Sequence, residues 1–438
     1  MVEFLLKEWQ ETWTPELLER EINIGILPKK VRKIIVFTGI RRSGKTYIMF
    51  QLMQELAKKH SKEDIFYINF EDERLEKKKE SLTKIIPALV KLYGDRKRYF
   101  LFLDEVQVMP EWSRWLRRIY DNYREISLFV SGSSAKVASK EIPTELRGRA
   151  LDFGIFPLSF KEYLKFKNII LEKDFQYSEK KLSLLKNALH QYLVYGGFPE
   201  VVLEDSIANK KRLLQDYYNT IIARDIIERN KIKKTELLHD FLRLLLNSQN
   251  FSINKAYNIF KSQNKKAGKE TLIKYTKYCT DAYFCFIVPI FSYKIKDQMH
   301  YSKKVYFADS GFLTNLSLKF SEDFGRLFEN AVFIELKRKQ LSNLQEIFYW
   351  KSQKNEEVDF VIKEGLKIKQ LIQVCYDTSD YDTKKREVRA LVKASNELKC
   401  KDLLIINDSY DGVERVKNKK IVYIPLWRWL LGDVKNPH

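Results

Sequence analysis

The fold is decided by the stretch Ile34-Ile-Val-Phe-Thr-Gly39-Ile-Arg-Arg-Ser-Gly44-Lys45-Thr46. Its first five residues form an apolar run typical of a buried strand, and the rest fits the pattern GxxxxGK(S/T) without a mismatch. Residues 45–58 then have the spacing of an amphipathic helix. A glycine-rich loop between a strand and a helix predicts a phosphate-binding loop, because its backbone N–H groups and the helix N-terminus both attract anions.

The loop chemistry predicts ATP with Mg²⁺ as the ligand. Gly39 and Gly44 allow the backbone to wrap the phosphates, Lys45 reaches the β- and γ-phosphates, and Thr46 ligates Mg²⁺. The other loop residues predicted to bind the nucleotide are Arg41, Arg42 and Ser43.

A second apolar run, residues 99–103, ends in Asp104-Glu105. A carboxylate at the end of such a strand holds Mg²⁺ through water, and a neighbouring base polarises the attacking water. We assign Asp104 to the metal and Glu105 to the water; the alternative is an ordinary charged turn. The pair predicts hydrolysis in addition to binding.

Two further segments supply candidate groups for this site. Ser131 and Ser133 end the apolar run 126–131, where they either donate hydrogen bonds near the γ-phosphate or cap a helix. Arg147 and Arg149 are candidates to stabilise transition-state charge, within their own chain or from a neighbouring subunit. The alternative for both is a solvated surface arginine.

The first 160 residues predict an α/β domain with a parallel sheet covered on both faces by helices. Strands are predicted at 33–38, 65–70, 99–103, 126–131 and 150–156, and helices at 45–58, 81–93 and 112–123. Residues 161–235 read as a helical lid or connector, with helices over 160–167, 179–195 and 210–230 and a break at Gly196-Gly197.

Residues 236–312 predict a winged helix: helices at 236–249, 253–262 and 269–281, then strands at 283–291 and 304–307. Residues 251–304 contain 11 basic and 3 acidic side chains, a net charge of +8. DNA is therefore the expected partner, and a packing or regulatory module with solvated lysines is the alternative. The lysines available for phosphate contacts are Lys265, Lys266, Lys269, Lys274 and Lys277.

Residues 313–438 predict a second α/β domain, with helices at 328–339 and 383–396 and strands at 347–350, 357–362, 371–375 and 402–407. Its acidic residues occur in an order similar to the PD-(D/E)xK nuclease core, in which acids and a lysine bind Mg²⁺ and activate water. The matching positions are Glu329, Glu335, Asp359, Gln373 and Cys375. Gln373 replaces an acid and Cys375 replaces the lysine, so a degenerate domain is expected unless Lys369 or Lys384 substitutes.

Several motifs in fixed order resemble those of prokaryotic, especially archaeal, AAA-type ATPases with an uncharacterised C-terminal region. They lie at 39–46, 69–72, 103–107, 131–134, 147–149, 157–163 and 195–199. The resemblance itself covers nearly the whole chain. The resemblance implies an ASCE-type P-loop core, a winged helix and a C-terminal domain similar to restriction endonucleases.

Composition narrows the class of protein further. The 438 residues are 45% apolar, which excludes disorder as a description of the whole chain. Lys and Arg number 79 against 58 Asp and Glu, a net charge of +21 that favours nucleic acid over an anionic membrane surface as partner. No apolar run approaches the roughly 20 residues that cross a bilayer, and no signal-peptide pattern opens the chain. The four cysteines, spaced 6, 90 and 25 residues apart, match neither a metal pair nor a disulfide framework, so a cytoplasmic protein is expected.

Three functions remain open from the sequence. The first is a Mg²⁺-dependent ATPase coupled to DNA binding or remodelling. The second is an ATP-gated DNA nuclease, and the third is a nucleotide-dependent switch that binds a protein partner without significant turnover. The sequence does not determine an oligomeric state.

Overall fold

The computed structural model describes residues 1–21, 31–94, 96, 98–133, 146, 148–172, 178–316, 323–343, 345–378 and 380–432. The chain divides into two compact units. The first contains Met1–Phe156 together with Asp281–Tyr283, and the second contains Pro157–Thr280 and Phe284–His438.

The first unit is built on a five-stranded parallel sheet. Its strands are β1 (Ile34–Thr38), β2 (Ile65–Asn69), β3 (Tyr99–Asp104), β4 (Ile126–Gly132) and β5 (Ala150–Gly154). They lie in the order β2-β3-β4-β1-β5, and every neighbouring pair is parallel. All residues of β1 and β3 are buried, as expected for a parallel sheet covered on both faces. The five predicted strands therefore all form, each within two residues of its predicted ends.

The helices of the first unit are α1 (Val2–Thr12), α2 (Lys45–Ala57), α3 (Lys79–Thr83), α4 (Ile85–Tyr93) and α5 (Trp112–Asn122). No helix was expected at α1, which buries Leu6 and Trp9; the Trp9 indole N–H donates to the carbonyl oxygen of Ile65 at 3.2 Å. The predicted helix 81–93 is divided into α3 and α4. Pro87 accounts for the division, because it has no N–H to bond with the carbonyl of Thr83.

Helices open the second unit: α6 (Phe160–Phe166), α7 (Glu179–Tyr195), α8 (Pro199–Leu203) and α9 (Ile207–Thr220). The predicted helix 210–230 is formed by most of α9 and a π-helical segment, Ile221–Glu228. The predicted break at Gly196-Gly197 separates α7 from α8.

The middle of the second unit has the order helix, strand, two helices, two strands. These elements are α10 (Thr235–Leu246), β6 (Asn250–Phe251), α11 (Ile253–Ser262), α12 (Lys269–Asp281), β7 (Cys285–Val288), α13 (Ile295–His300) and β8 (Lys303–Phe307), with the short helix α13 between the last two strands. The strands form an antiparallel sheet in the order β6-β8-β7. Strand β6 has two residues, too few for the alternation of apolar and polar side chains by which a strand is recognised in a sequence. Helix α14 (Ser310–Leu316) follows.

The C-terminal part of the second unit contains a six-stranded mixed sheet. Its elements are α15 (Phe324–Asn343), β9 (Gln345–Lys351), β10 (Glu357–Glu364), β11 (Lys367–Val374), α16 (Tyr381–Leu398), β12 (Leu403–Asn407), β13 (Gly412–Val416), β14 (Lys419–Pro425) and α17 (Leu426–Leu430). The order is β13-β14-β12-β11-β10-β9. The pairs β11/β12 and β12/β14 are parallel, and the others are antiparallel.

A buried carboxylate joins the turn between α7 and α8 to the start of α14. Asp309 accepts hydrogen bonds from the backbone N–H groups of Gly197, at 2.7 Å, and Gly311, at 2.8 Å. Burial raises the pKa of Asp309 to about 6, against the lowering effect of these donors. Gly196 has a φ of 80°, and a Cβ at this position would lie 1.6 Å from Asp309 Oδ1. This close approach requires glycine at position 196.

The substitution Gly196→Ala is expected to lower the free energy of unfolding by more than about 3 kcal/mol, because the methyl group overlaps a buried carboxylate. Gly365→Ala is the matched control, since Gly365 also has a positive φ of 59° but nothing lies within 4 Å of an added Cβ. Its expected cost is roughly 1–2 kcal/mol. Urea unfolding compares the two variants, and equal losses would contradict the assigned contact.

No helix in the described ranges has the length and apolar character needed to cross a bilayer. The four cysteines are buried free thiols.

Candidate functional site

The loop between β1 and α2 contains three residues with positive φ, two of which are glycines. Gly39, Arg42 and Gly44 have positive φ values of 150°, 68° and 93°. A Cβ on Gly39 would lie 2.0 Å from the carbonyl oxygen of Ile155, so no larger residue fits. Gly44 is the N-cap of α2, and the loop therefore leads directly into the positive end of this helix.

The Lys45 ammonium is held by the loop itself. The residue is 5% exposed, and Nζ donates to the carbonyl oxygens of Gly39 and Ile40, both at 3.2 Å. Nζ also lies 3.7 Å from Glu105 Oε1. These contacts place a buried positive charge at the carboxyl ends of β1 and β3.

Three hydroxyl groups donate hydrogen bonds to the buried carboxylate of Asp104. They are Thr46 Oγ1 at 2.6 Å, Tyr67 OH at 2.8 Å and Ser131 Oγ. Burial and the charge of Glu105 raise the pKa of Asp104, and the hydrogen bonds only partly offset the rise. The structure thus brings together Thr46 and Asp104, the two residues predicted to hold a metal.

Glu105 occupies a strained backbone position beside this carboxylate. Its φ of 51° and ψ of 43° are left-handed, which is uncommon for a residue other than glycine. Its N–H donates to Ser131 Oγ at 2.9 Å, and its carboxylate accepts a hydrogen bond from Gln107 Nε2. Burial alone would raise the pKa of Glu105, but the charges of Lys45 and Arg41 and the side-chain hydrogen bonds lower it. The carboxylate is therefore ionised at neutral pH, as a proton acceptor must be.

Two buried polar atoms near the loop and the acidic pair have no hydrogen-bond partner among the described residues: Ser43 Oγ and Gln107 Oε1. A hydroxyl group on the loop can donate to a phosphate oxygen. Gln107 Nε2 also donates to Ser133 Oγ at 3.3 Å, which leaves the amide oxygen to accept a hydrogen bond from water. Because unpaired buried polar atoms are costly, these residues fit a nucleotide phosphate group with Mg²⁺.

Sequence reasoning missed two contributors to this site. The buried guanidinium of Arg20 donates to the carbonyl oxygens of Ser43, at 2.8 Å, and Phe156, at 3.0 Å. Arg20 therefore stabilises the conformation of the loop, although it lies outside the GxxxxGK(S/T) motif. Tyr67, in the middle of β2, reaches Asp104. A tyrosine in an apolar strand is a weak signal for such a role, and an isolated arginine gives none.

Two arginines of the loop lie in different surroundings from each other. Arg41 Nη2 pairs with Glu71 Oε1 at 3.1 Å, and Arg42 is exposed. Their predicted contacts with the nucleotide stay predictions.

Arg149 lies at the opposite end of the sheet from the loop. Strand β5 begins at Ala150, which pairs with Ile34, the first residue of β1, whereas the loop follows the last residue of β1. The Arg149 guanidinium pairs with the Asp121 carboxylate through contacts of 2.7 and 3.2 Å. The structure therefore does not place Arg149 beside the phosphates of its own chain, and a role toward a neighbouring subunit stays a prediction. Arg147 lies outside the described residues.

The lysines predicted to contact DNA lie on α12 and in the turn before it. Lys266, Lys269, Lys274 and Lys277 are exposed. Lys265 is half exposed and forms an ion pair with Asp240. The contacts of all five lysines with DNA stay predictions.

Three residues predicted as a nuclease remnant come together in the second unit, around a lysine from a different element. Lys304 Nζ, on β8, lies 2.9 Å from Glu329 Oε1 and 2.6 Å from Asp359 Oδ1. The Asp359 N–H donates to Gln373 Oε1 at 3.2 Å. Burial alone would lower the pKa of Lys304, but Asp359 and Glu329 raise it well above its usual value.

The other candidates of this set have different partners. Glu335 pairs with Arg338 and Lys339 at 3.4 and 3.5 Å. The Cys375 thiol donates to the carbonyl oxygen of Asp377 at 3.2 Å, and burial, followed by nearby carboxylates, raises its pKa to about 12. The two lysines proposed as substitutes pair elsewhere, Lys369 with Glu364 and Lys384 with Glu414.

Comparison with known proteins agrees with the geometry of the first unit. The family model described as an AAA domain matches residues 31–164, which include the loop and both acids. The uncharacterized protein MJ1544 of Methanocaldococcus jannaschii is 39% identical over 425 residues, covering 95% of this chain and 91% of that protein. The chain belongs to the same family as this Methanocaldococcus jannaschii protein and contains an AAA domain at residues 31–164.

The similarity of this chain to known proteins extends beyond its AAA domain. Residues 186–323 and 324–429 match two domains of unknown function, DUF8612 and DUF4143. An uncharacterized protein of Haemophilus influenzae is 25% identical over 399 residues, covering 90% of this chain and 94% of that protein. The solved structure of Cdc6p from Pyrobaculum aerophilum is 13% identical with a TM-score of 0.28, covering 65% of this chain and 85% of that one.

Proposed function

We propose that this AAA-type chain binds ATP with Mg²⁺ and hydrolyses it at the β1–α2 loop and the end of β3. The observation that carries the proposal is the position of the Glu105 carboxylate, on a partly buried left-handed residue between Lys45 and Gln107. Strained backbone and a shifted carboxyl pKa coincide here with a phosphate-binding loop, and such features cluster at functional sites.

The side chains divide the chemistry between binding and proton transfer. Lys45, Ser43 and the N-terminus of α2 bind the phosphate oxygens. Arg20 stabilises the conformation of the loop. The Gln107 amide oxygen orients a water toward the γ-phosphorus. As the new P–O bond forms and the bond to the β-phosphate breaks, Glu105 accepts the proton of the water.

Thr46 and Asp104 are the residues that would hold Mg²⁺, whose chemistry is to neutralise negative charge on the phosphate oxygens. Phosphate release from ATP tests the proposal, with turnover expected in Mg²⁺ and lost in excess EDTA. Tight nucleotide binding without phosphate release would instead support the nucleotide-dependent protein switch.

We further propose that α10, α11, α12 and the β6-β8-β7 sheet act as a winged helix that contacts DNA. The order of these elements and the four exposed lysines around α12 support this role. Lysine is a flexible point charge that contacts phosphate rather than base edges, so the binding is expected to depend strongly on salt and weakly on DNA sequence.

Replacing Lys269, Lys274 and Lys277 together with alanine is expected to reduce the slope of log K against log salt by about 2–3, because each lysine releases close to one counterion. Duplex binding measured over a salt series gives this slope. The matched control replaces three exposed lysines of α7 and α9, Lys180, Lys186 and Lys211. If both triple variants change the slope equally, the effect comes from net charge and the assigned contact is refuted.

A further inference from the structure

Lys304 is an unusual lysine, because its whole side chain is buried among acids. It lies in β8, and its side chain is 1% exposed. Nζ lies 2.6 Å from Asp359 Oδ1, 2.8 Å from Glu357 Oε1 and 2.9 Å from Glu329 Oε1. Three carboxylates thus converge on one ammonium group, whose three N–H bonds match the three acceptors.

Two of the three carboxylates are themselves fixed by neighbouring elements. Glu329, on α15, accepts hydrogen bonds from Tyr306 OH at 2.6 Å and Gln249 Nε2 at 3.0 Å. Asp359, on β10, accepts one from the N–H of Val374, on β11, at 2.8 Å. These two acids therefore hold their positions through bonds of their own, and Lys304 fills the point between them and Glu357.

Three carboxylates around one point are the ligands of a hard divalent cation such as Ca²⁺ or Mg²⁺. Here that point is occupied by a side chain of the protein. In the described part of the chain, no group of three or more His, Cys, Asp or Glu residues is arranged to hold a metal ion.

We propose that Lys304 is the internal cation of this centre: its ammonium takes the position of a divalent metal, so the C-terminal α/β part is held together without metal and does not cleave phosphodiesters. This inference is independent of the proposed ATPase. It assigns Lys304 a positioning role that joins β8 to α15 and β10.

The burial of Lys304 fits a structural cation and does not fit a catalytic lysine, which must contact the substrate. The side chains of Lys304, Glu329 and Asp359 are 1%, 7% and 10% exposed, whereas that of Glu357 is 25% exposed. A DNA phosphate would have to contact the lysine and the two buried acids directly to be hydrolysed. Their burial leaves no room for one, whereas a purely structural cation requires no access.

The test compares two substitutions of Lys304 in the full chain, with Ca²⁺ as the probe. Lys304→Ala leaves space for an ion, whereas Lys304→Met fills that space without charge. Ca²⁺ is suitable because its bonds of about 2.3–2.6 Å need the smallest movement of these carboxylates. Both variants are expected to lower the Tm of the second unit by about 10 °C, since each leaves buried carboxylates uncompensated. Lys303→Ala, at the preceding residue, is the control and should not lower this Tm.

Saturating Ca²⁺ is expected to raise the Tm of Lys304→Ala by about 5 °C. Ca²⁺ should leave the Tm unchanged in the wild type, in Lys304→Met and in the double variant that combines Lys304→Ala with Asp359→Asn. A wild-type Tm for the second unit that rises with Ca²⁺ or Mn²⁺, and no longer does so after Asp359→Asn, would overturn the proposal. So would wild-type stability in Lys304→Ala, or cleavage of DNA by the wild type that Asp359→Asn abolishes. The wild-type measurements decide the matter even if Lys304→Ala fails to fold.

Discussion

Replacing Glu105 with Gln is expected to stop ATP hydrolysis and leave nucleotide binding intact. The amide keeps the shape of the side chain but cannot accept a proton from water. Loss of a general base of this kind reduces turnover by roughly 10²–10⁴-fold. Lys45, 3.7 Å from the carboxylate, loses a competing negative neighbour, so affinity for the phosphates should not fall.

Two measurements on the Glu105→Gln variant separate the roles: steady-state phosphate release and equilibrium binding of ATP. Glu71→Gln is the matched control, because Glu71 pairs with Arg41 of the same loop and lies outside the acidic pair. Turnover unchanged in Glu105→Gln would place the base elsewhere. A parallel loss of ATP affinity would mean that Glu105 holds the nucleotide or its metal rather than the water.

Replacing Lys45 with alanine is expected to weaken ATP binding by about 100-fold or more, since two charge-assisted phosphate contacts are lost. The substitution also leaves Glu105 buried without its nearest cation. Lys45→Met keeps most of the side-chain volume and separates the loss of charge from loss of packing.

Titration with ATP measures this effect, and circular dichroism establishes that the variants fold. Lys33→Ala is the control, because Lys33 immediately precedes β1 at the end of the strand opposite the loop. Wild-type affinity in both Lys45 variants would refute the assigned phosphate loop.

The nucleotide site was predictable because its chemistry is local in sequence. One strand and its loop carry Lys45, another strand ends in Asp104-Glu105, and parallel strands bring their carboxyl ends to one edge of the sheet. The same rule explains the correction for Arg149. A residue that immediately precedes a parallel strand lies at the amino edge of the sheet, away from the loop.

Side chains that act far from their own segment were not predictable. Arg20 reaches Ser43 and Phe156, which lie 23 and 136 residues away. Lys304 belongs to the basic stretch 251–304, and it was not among the lysines singled out there. Its burial is set by Glu329 and Asp359, 25 and 55 residues further along the chain, and no local pattern encodes that pairing.

Strand β13 was missed for a different reason. This strand, Gly412–Val416, alternates between half-buried and exposed residues and has no buried position. An edge strand of this kind carries charged side chains that protect it from unwanted pairing, so its sequence lacks the apolar run by which strands are recognised.

ATP turnover with and without duplex DNA, in Mg²⁺ at moderate salt, tests the central claim most directly. The account predicts that DNA raises the turnover of the wild type, that the rise disappears in the Lys269, Lys274 and Lys277 variant, and that the recovered DNA is intact. Turnover that is the same with and without DNA would contradict the coupling of this ATPase to DNA.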